Sequence, residues 1–406
     1  MLKRNQYIAN IKPGYLFPEI AKRRKEFLKE NPNAKIISLG VGNTTEPIPP
    51  YINNGLVEGA KKLGTIEGYS GYQDEGLAEL REKINDVYYN NKFSLDEIFI
   101  SDGAKCDIGR LQLLFGSGRQ IAVQDPSYPV YVDGSVLTGS AGGIIQKAGG
   151  AGFAYEGIIY LPCTMENNFF PDLSKIPENS LVYICYPNNP TGAAANKEQL
   201  NSLVGTAIKK SCIIIFDSAY NEFIRDPSIP RSIFEIDGAK KCAIEVNSFS
   251  KSAGFTGVRL GWTAVSKELA YSTGESILSD WSRINATVFN GASNIAQAGG
   301  IAALDIEGQE EIRQLTDFYL GNAKLILDVL HKKGISCTGG DNSPYIWAHF
   351  PAKGSWEIFS EILEKCQVVV TPGAGFGPAG ENYIRFSAFA RRADTEEACS
   401  RLEKYL

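Results

Sequence analysis

Asn247-Ser-Phe-Ser-Lys251-Ser-Ala-Gly-Phe-Thr-Gly-Val-Arg259-Leu-Gly-Trp262 follows an apolar run, Cys242–Val246, and sets one lysine among small and hydroxyl-bearing residues. A strand ending there delivers Lys251 to the carboxyl edge of a sheet, where ligands gather in α/β folds. Ser248, Ser250 and Arg259 flank the lysine. Hydroxyls and a guanidinium suit a phosphate group, which arginine grips through paired, charge-assisted hydrogen bonds. A lysine that forms an imine must be partly neutral, a state that burial and neighbouring cations favour. A phosphate cradle beside such a lysine is what pyridoxal phosphate requires. Alone, the segment also fits a surface turn with an ordinary lysine and a structural arginine.

Other strand ends add to the first reading. Asp217 closes the run Cys-Ile-Ile-Ile-Phe-Asp, where a bare buried carboxylate is costly without a partner. A protonated pyridine nitrogen would be that partner. Tyr220, three residues on, and Asn189, in Asn-Asn-Pro-Thr-Gly, are placed to reach the ring oxygen of the same cofactor. Singly, Asp217 also fits a helix N-cap and Asn-Pro-Thr-Gly a plain turn. Arg385, in Tyr-Ile-Arg-Phe-Ser, ends an apolar strand and suits an inward grip on a carboxylate, with a surface arginine as the alternative. Glu75 opens a helix expected from near Asp74, so its charge serves the helix dipole as readily as a substrate.

Outward from these motifs, short apolar strands alternate with amphipathic helices. Strands are expected at Glu97–Ser101, Arg119–Asp125, Leu181–Tyr186, Cys212–Asp217, Cys242–Val246 and Arg259–Val265, with a helix over Lys197–Lys210. That alternation predicts a largely parallel sheet with crossovers, an α/β fold. After about Ser293 the pattern changes to one long helical stretch reaching Lys333, then strands and helices of a second, α+β unit. The expected division is an N-terminal segment 1–45 packing with the small domain, a large cofactor-binding domain 46–293 and a small domain 294–406.

At 406 residues the chain is long enough for two domains sharing an interface. A net charge of −5 gives no footprint for nucleic acid. The eight cysteines form no C-x-x-C pair, and several sit in apolar runs, as buried hydrophobes in a reducing compartment do. The N-terminus lacks the apolar core of a signal peptide, and no apolar stretch approaches the roughly 20 residues that span a bilayer. A cytoplasmic protein without membrane or nucleic-acid partners is expected. With only His331 and His349 present, a zinc site of several histidines is impossible, so acid–base work falls to other residue types.

In order and spacing, Tyr72, Gly103-Ala-Lys105, Tyr128, Asn189, Asp217, Tyr220, Ser248, Lys251, Arg259 and Arg385 resemble the fold-type I, class I/II aminotransferases over nearly the whole chain. Within that family the likeness is to the branch acting on LL-diaminopimelate. It is carried by Gly14-Tyr-Leu-Phe-Pro-Glu19, Leu39-Gly-Val-Gly-Asn43, Gly71-Tyr-Gln-Asp-Glu75, Asp102-Gly-Ala-Lys-Cys-Asp107, Gln124-Asp-Pro-Ser-Tyr-Pro-Val-Tyr131 and Phe289-Asn-Gly-Ala-Ser-Asn294. The resemblance implies a mostly parallel seven-stranded sheet between helices, plus the smaller α+β domain. It implies Lys251 as Schiff-base lysine and acid–base, assisted by Asp217 and Tyr220. Tyr128 would stack on the ring. Ala104, Lys105, Ser248, Ser250 and Arg259 would surround the phosphate, joined by Tyr72 from the other subunit of a homodimer with shared active sites, and Asn290 would also contact the cofactor. Arg385, Asn189 and Gly42 would hold the substrate α-carboxylate. Tyr15, Glu75, Asn290 and Lys105 would meet its far end. The reaction implied is transamination between LL-diaminopimelate and 2-oxoglutarate, giving tetrahydrodipicolinate and glutamate. Cofactor residues do not fix reaction type. An aminotransferase for aromatic amino acids, alanine or aspartate, a lyase on the same fold, and a non-catalytic regulator therefore remain as alternatives.

Overall fold

Uninterrupted apolar runs mark strands covered on both faces, and the large sheet follows that rule: Ser180–Cys185, Ala243–Ser248 and Gly261–Val265 are buried at every position. The computed structural model describes residues 1–11, 16–146 and 153–406. In chain order the strands of this sheet are β1 (Ile98–Ser101), β2 (Gln120–Asp125), β3 (Ile158–Pro162), β4 (Ser180–Cys185), β5 (Ile213–Asp217), β6 (Ala243–Ser248) and β7 (Gly261–Val265). They lie side by side as β1-β7-β6-β5-β4-β2-β3. β7 is antiparallel to both its neighbours, and the remaining pairs are parallel. The mostly parallel seven-stranded sheet is thus present. β3 has no counterpart among the strands read from the sequence: it is an edge strand that closes on Pro162 and follows a glycine-rich stretch, both of which mask a strand signal.

Two helical expectations change. The helix after Glu75 starts at Ala78, not near Asp74. Gly76 adopts φ +98°, and the Ile100 amide donates to the Glu75 carbonyl at 2.9 Å, so this segment is an ordered turn before the helix. Glu75 therefore does not serve a helix dipole; its carboxylate pairs with Arg81 at 3.0 Å. The long helical stretch after Ser293 is two helices, Asn294–Ala303 and Ile306–Lys332, separated where Asp305 takes an extended ψ of 164°.

A second apolar core surrounds a four-stranded antiparallel sheet in the order Cys337–Gly339, Tyr345–His349, Tyr383–Ser387, Thr371–Pro372. Ile37–Ser38 pairs in parallel with Val368–Val369, and Leu16, Ile20, Ile37 and Leu39 are buried in this core. Ala296 and Ala303 of the helix following the expected 293/294 division belong to the larger core. Helix Ile306–Lys332 spans both, with Ile312 in the larger core and Ala323, Ile326 and Leu330 in the smaller. Among the described residues no helix is long and apolar enough to cross a membrane.

Candidate active site

The carboxyl ends of β4, β5 and β6 and the turn after β1 open toward the smaller sheet, and a cavity of about 630 Å3 lies between them. Its sheet side is lined by Ala104, Lys105, Asn189, Asp217 and Tyr220, and by Ser248, Ser250, Lys251 and Arg259. Gly42, Tyr128 and Arg385 line it as well. Twelve of the residues expected from the sequence are therefore brought together.

β6 runs into the one-turn helix Phe249–Ser252, which carries Lys251 inward. The Lys251 amine donates to the Gly42 carbonyl. Burial, with the Arg385 and Arg259 cations nearby, pushes its pKa down to about 8. An amine so placed is partly neutral near physiological pH, as a nucleophile and proton carrier must be.

Beside it, the Ser248 hydroxyl donates to Ser250 Oγ at 2.9 Å, and Arg259 Nη1 donates to the same Ser250 oxygen at 3.1 Å. Arg259 itself sits in the left-handed region at φ +71°, a conformation a non-glycine side chain adopts only when its surroundings impose it. Its guanidinium lies against Gly103, so closely that a Cβ there would collide with Nη2. Gly103, at φ +116°, leads into helix Ala104–Phe115. The first amides of a helix have no intrahelical acceptors, and its dipole favours an anion. Two hydroxyls, a guanidinium and a helix start thus face one corner of the cavity and fit a phosphate. Gly103→Ala should weaken binding of a phosphate-bearing cofactor by about 5- to 150-fold, because backbone strain and displacement of Arg259 together cost roughly 1–3 kcal/mol. Equilibrium titration of the purified variant checks this, and an unchanged affinity would place the phosphate elsewhere.

At the end of β5, Asp217 is 5% exposed. Its Oδ2 accepts from the Tyr131 hydroxyl at 2.8 Å and its Oδ1 from the Ala219 amide at 3.1 Å. Burial nonetheless raises its carboxyl pKa. A carboxylate held in this way is completed by a cationic proton donor, such as the ring nitrogen of pyridoxal phosphate. The hydroxyls of Tyr220 and Tyr345 lie 3.0 Å apart. Tyr128 is largely covered, and burial pushes its phenol up to about 12.

Arg385 is 2% exposed and has neutral partners. Nη1 donates to Asn189 Oδ1 at 2.7 Å, and Nη2 to the Gly40 carbonyl at 2.6 Å. The rings of Tyr345 and Phe376 lie 4.4 and 4.8 Å from the guanidinium carbon. A buried cation among neutral oxygens and ring faces is prepared for an anionic ligand.

Tyr131 and Tyr345 line the cavity but were not read from the sequence. Tyr131 had a usable signal: it stands three residues after Tyr128, at the start of helix Val130–Leu137. Tyr345 had none, since a tyrosine is an ordinary strand residue.

Tyr72, Glu75 and Asn290 do not line the cavity within one chain. Tyr72 is 81% exposed, Asn290 is also exposed, and Glu75 faces Arg81. Their loops are tied together, for Asn294 Nδ2 donates to the carbonyls of Ser70 at 2.9 Å and Gly71 at 3.1 Å. Tyr15 lies outside the described residues. Both histidines are remote from the cavity: His331 contacts Cys337, and His349 stacks on Tyr383.

A phosphate cradle, a buried lysine and a buried carboxylate at the strand ends of this sheet define a pyridoxal-phosphate fold. The chain belongs to the family "Aminotransferase class I and II", whose sequence model matches residues 34–402. It is 50% identical to the LL-diaminopimelate aminotransferase of Protochlamydia amoebophila (strain UWE25), across 100% of this chain and 98% of that protein. It is also 50% identical to the chloroplastic LL-diaminopimelate aminotransferase of Arabidopsis thaliana, across 99% and 87%. The solved L,L-diaminopimelate aminotransferase from Chlamydomonas reinhardtii superposes with a TM-score of 0.94 at 50% identity, covering 100% of this chain and 99% of that one.

Proposed function

We propose that the protein moves an amino group between LL-2,6-diaminopimelate and 2-oxoglutarate, reversibly giving tetrahydrodipicolinate and glutamate, with pyridoxal phosphate bound at Lys251. The reaction class rests above all on the buried Lys251 amine, set between the phosphate-fitting corner and Asp217. The substrate assignment is supported by half-identity to diaminopimelate aminotransferases along the entire chain.

When bound, the cofactor supplies an aldehyde that takes up amines and a ring that accepts the electron pair left at the α-carbon. Arg259, Ser248, Ser250 and the first amides of helix Ala104–Phe115 would hold its phosphate, with Lys105 at the rim. Asp217, oriented by Tyr131 and the Ala219 amide, would hold a proton on the ring nitrogen. Tyr220 and Asn189 would donate to the ring oxygen, and Tyr128 would cover a ring face. Arg385, with Asn189 and the Gly42 backbone, would orient the α-carboxylate. Lys251 Nζ would be the base that takes the α-proton and the acid that delivers it to the carbon supplied by the cofactor's aldehyde. Its low pKa leaves an adequate neutral fraction for the first task.

We further propose a homodimer with shared active sites, in which Tyr72 reaches the phosphate from the other protomer and some of Tyr15, Glu75 and Asn290 also act across the interface. Supporting this, Tyr72 and Asn290 sit on tethered loops at the surface, close in sequence to Ile66 and Tyr69, which are 93% and 71% exposed. Unpartnered apolar side chains of this size favour an interface. In that assembly Tyr72 and Asn290 would reach the cofactor, while Tyr15, Glu75 and Asn290 would meet the distal end of diaminopimelate. A cytoplasmic location is proposed with it, consistent with eight free thiols.

The lysine sets a pH dependence. Only the neutral amine adds to an aldehyde, and the neutral fraction grows as pH rises through the pKa. The rate at which cofactor-free protein recombines with pyridoxal phosphate should therefore rise with pH, reach half its maximum at about 8 and level off above. Stopped-flow absorbance measures it; a rate still climbing steeply near the pKa of an ordinary lysine, about 10.4, would contradict the buried placement.

The substrate is tested by glutamate formation from 2-oxoglutarate with LL-diaminopimelate, meso-diaminopimelate, lysine, aspartate and phenylalanine in parallel. Preference for the LL isomer is expected. Turnover of aspartate or phenylalanine without diaminopimelate would keep the aminotransferase and overturn the substrate.

A further inference from the structure

Tyr345, on the central part of the smaller sheet, is 1% exposed and touches three parts of the site at once. Its hydroxyl lies 3.0 Å from that of Tyr220, and the two rings meet at 68° with centroids 5.2 Å apart. The Arg385 guanidinium stands 4.4 Å from its ring centroid. On the third side its hydroxyl presses on Gly42, where any Cβ would overlap it, and the Gly42 carbonyl is the acceptor for the Lys251 amine. The backbone is pinned as well: its carbonyl crowds Gly192 and Gly339, and its amide donates to Ser343 Oγ at 3.2 Å. Tyr345 therefore joins the ring-oxygen side of the cavity, the carboxylate grip and the resting place of the lysine.

We propose that Tyr345 is a positioning residue with two separable parts: its hydroxyl polarises Tyr220, and its ring face seats Arg385. The inference rests on the pyridoxal-phosphate reading of the site. A phenol has one proton. If Tyr220 spends its proton on the cofactor's ring oxygen, the contact with Tyr345 is made by the Tyr345 proton, donated to the Tyr220 oxygen. A hydroxyl that accepts a hydrogen bond becomes a stronger donor. Burial keeps both phenols protonated over the working range, so the relay does not switch off with pH. Tyr345 then favours negative charge on the ring oxygen and loosens the proton held by the nitrogen joined to the cofactor. The ring does something different. Arg385 has neutral oxygen partners, and an aromatic face offsets part of the cost of burying its charge.

The test is a pH titration of the bound cofactor's absorbance, with steady-state kinetics alongside. Tyr345→Phe keeps the ring and loses the hydroxyl. Its absorbance midpoint should move up by roughly half a pH unit, a threefold change in proton affinity, while KM for the amino substrate stays within about twofold. In a Tyr220→Phe background the same substitution should shift the midpoint no further, since the effect passes through that hydroxyl. Tyr345→Leu, which removes the ring, should raise KM about 10-fold. An unshifted midpoint in Tyr345→Phe, or an equal shift in the Tyr220→Phe background, would overturn the relay. A normal KM in a folded Tyr345→Leu protein would overturn the seating of Arg385, and Tyr345→Phe decides the relay whether or not the leucine variant folds. A wild-type protein with no cofactor absorbance at all sinks the cofactor reading and this inference together; a wild-type band left unchanged in the variants sinks this inference alone.

Discussion

Replacing Lys251 by alanine should lower kcat by at least about 10^4-fold, because the substitution removes the proton carrier as well as the covalent anchor. Nothing else in the cavity replaces it. Burial raises the Tyr220 pKa and so keeps its phenol protonated, with no phenolate to act as base at neutral pH, and both histidines lie elsewhere in the fold. Lys105 is exposed at the rim. The variant should still hold pyridoxal phosphate, more weakly, since Arg259, Ser248, Ser250 and Asp217 are untouched. Single-turnover kinetics with the cofactor-loaded variant measures the loss, and a variant that transaminates at an undiminished rate would end the mechanism proposed for Lys251.

The second large effect is expected at Asp217. Asp217→Ala would remove the carboxylate proposed to pair with the cofactor's ring nitrogen, and it leaves the Tyr131 hydroxyl and Ala219 amide without their acceptor. Truncating one partner of a buried, hydrogen-bonded charge pair costs about 2–5 kcal/mol, so cofactor affinity and kcat together should fall by roughly 30- to 5000-fold. The direction at acid pH follows from burial. The Asp217 carboxyl is raised above its ordinary pKa, so lowering pH would protonate it before an exposed aspartate and should weaken cofactor binding first. Equilibrium cofactor binding against pH, in wild type and variant, checks both points. A wild-type affinity in Asp217→Ala would remove the residue from its role.

Much of this was legible because the chemistry sits where the apolar pattern stops. Lys251, Asp217 and Asn189 each follow a run of buried strand residues, and a polar group at a strand's carboxyl end is conspicuous in a one-dimensional sequence. Six strands of the large sheet were visible as apolar runs. β3 was not, because glycine precedes it and proline closes it. The single long helix expected after Ser293 breaks because one residue, Asp305, takes an extended conformation, which periodicity does not register. Tyr345 escaped notice for a different reason. Its importance comes from what meets it in space, from Tyr220 at a separation of 125 residues to Arg385 on the adjoining strand. Tyr72, Glu75 and Asn290 came from resemblance; in one chain they do not line the cavity, and the role proposed for them rests on the proposed dimer.

The most direct test of the central claim is to load the protein with pyridoxal phosphate, reduce the link with borohydride, digest it and find the modified residue by mass spectrometry. The account predicts a single pyridoxyl adduct on Lys251, absent from the Lys251→Ala variant. An adduct on Lys105 or another surface lysine, or no adduct on a protein that still transaminates, would contradict it.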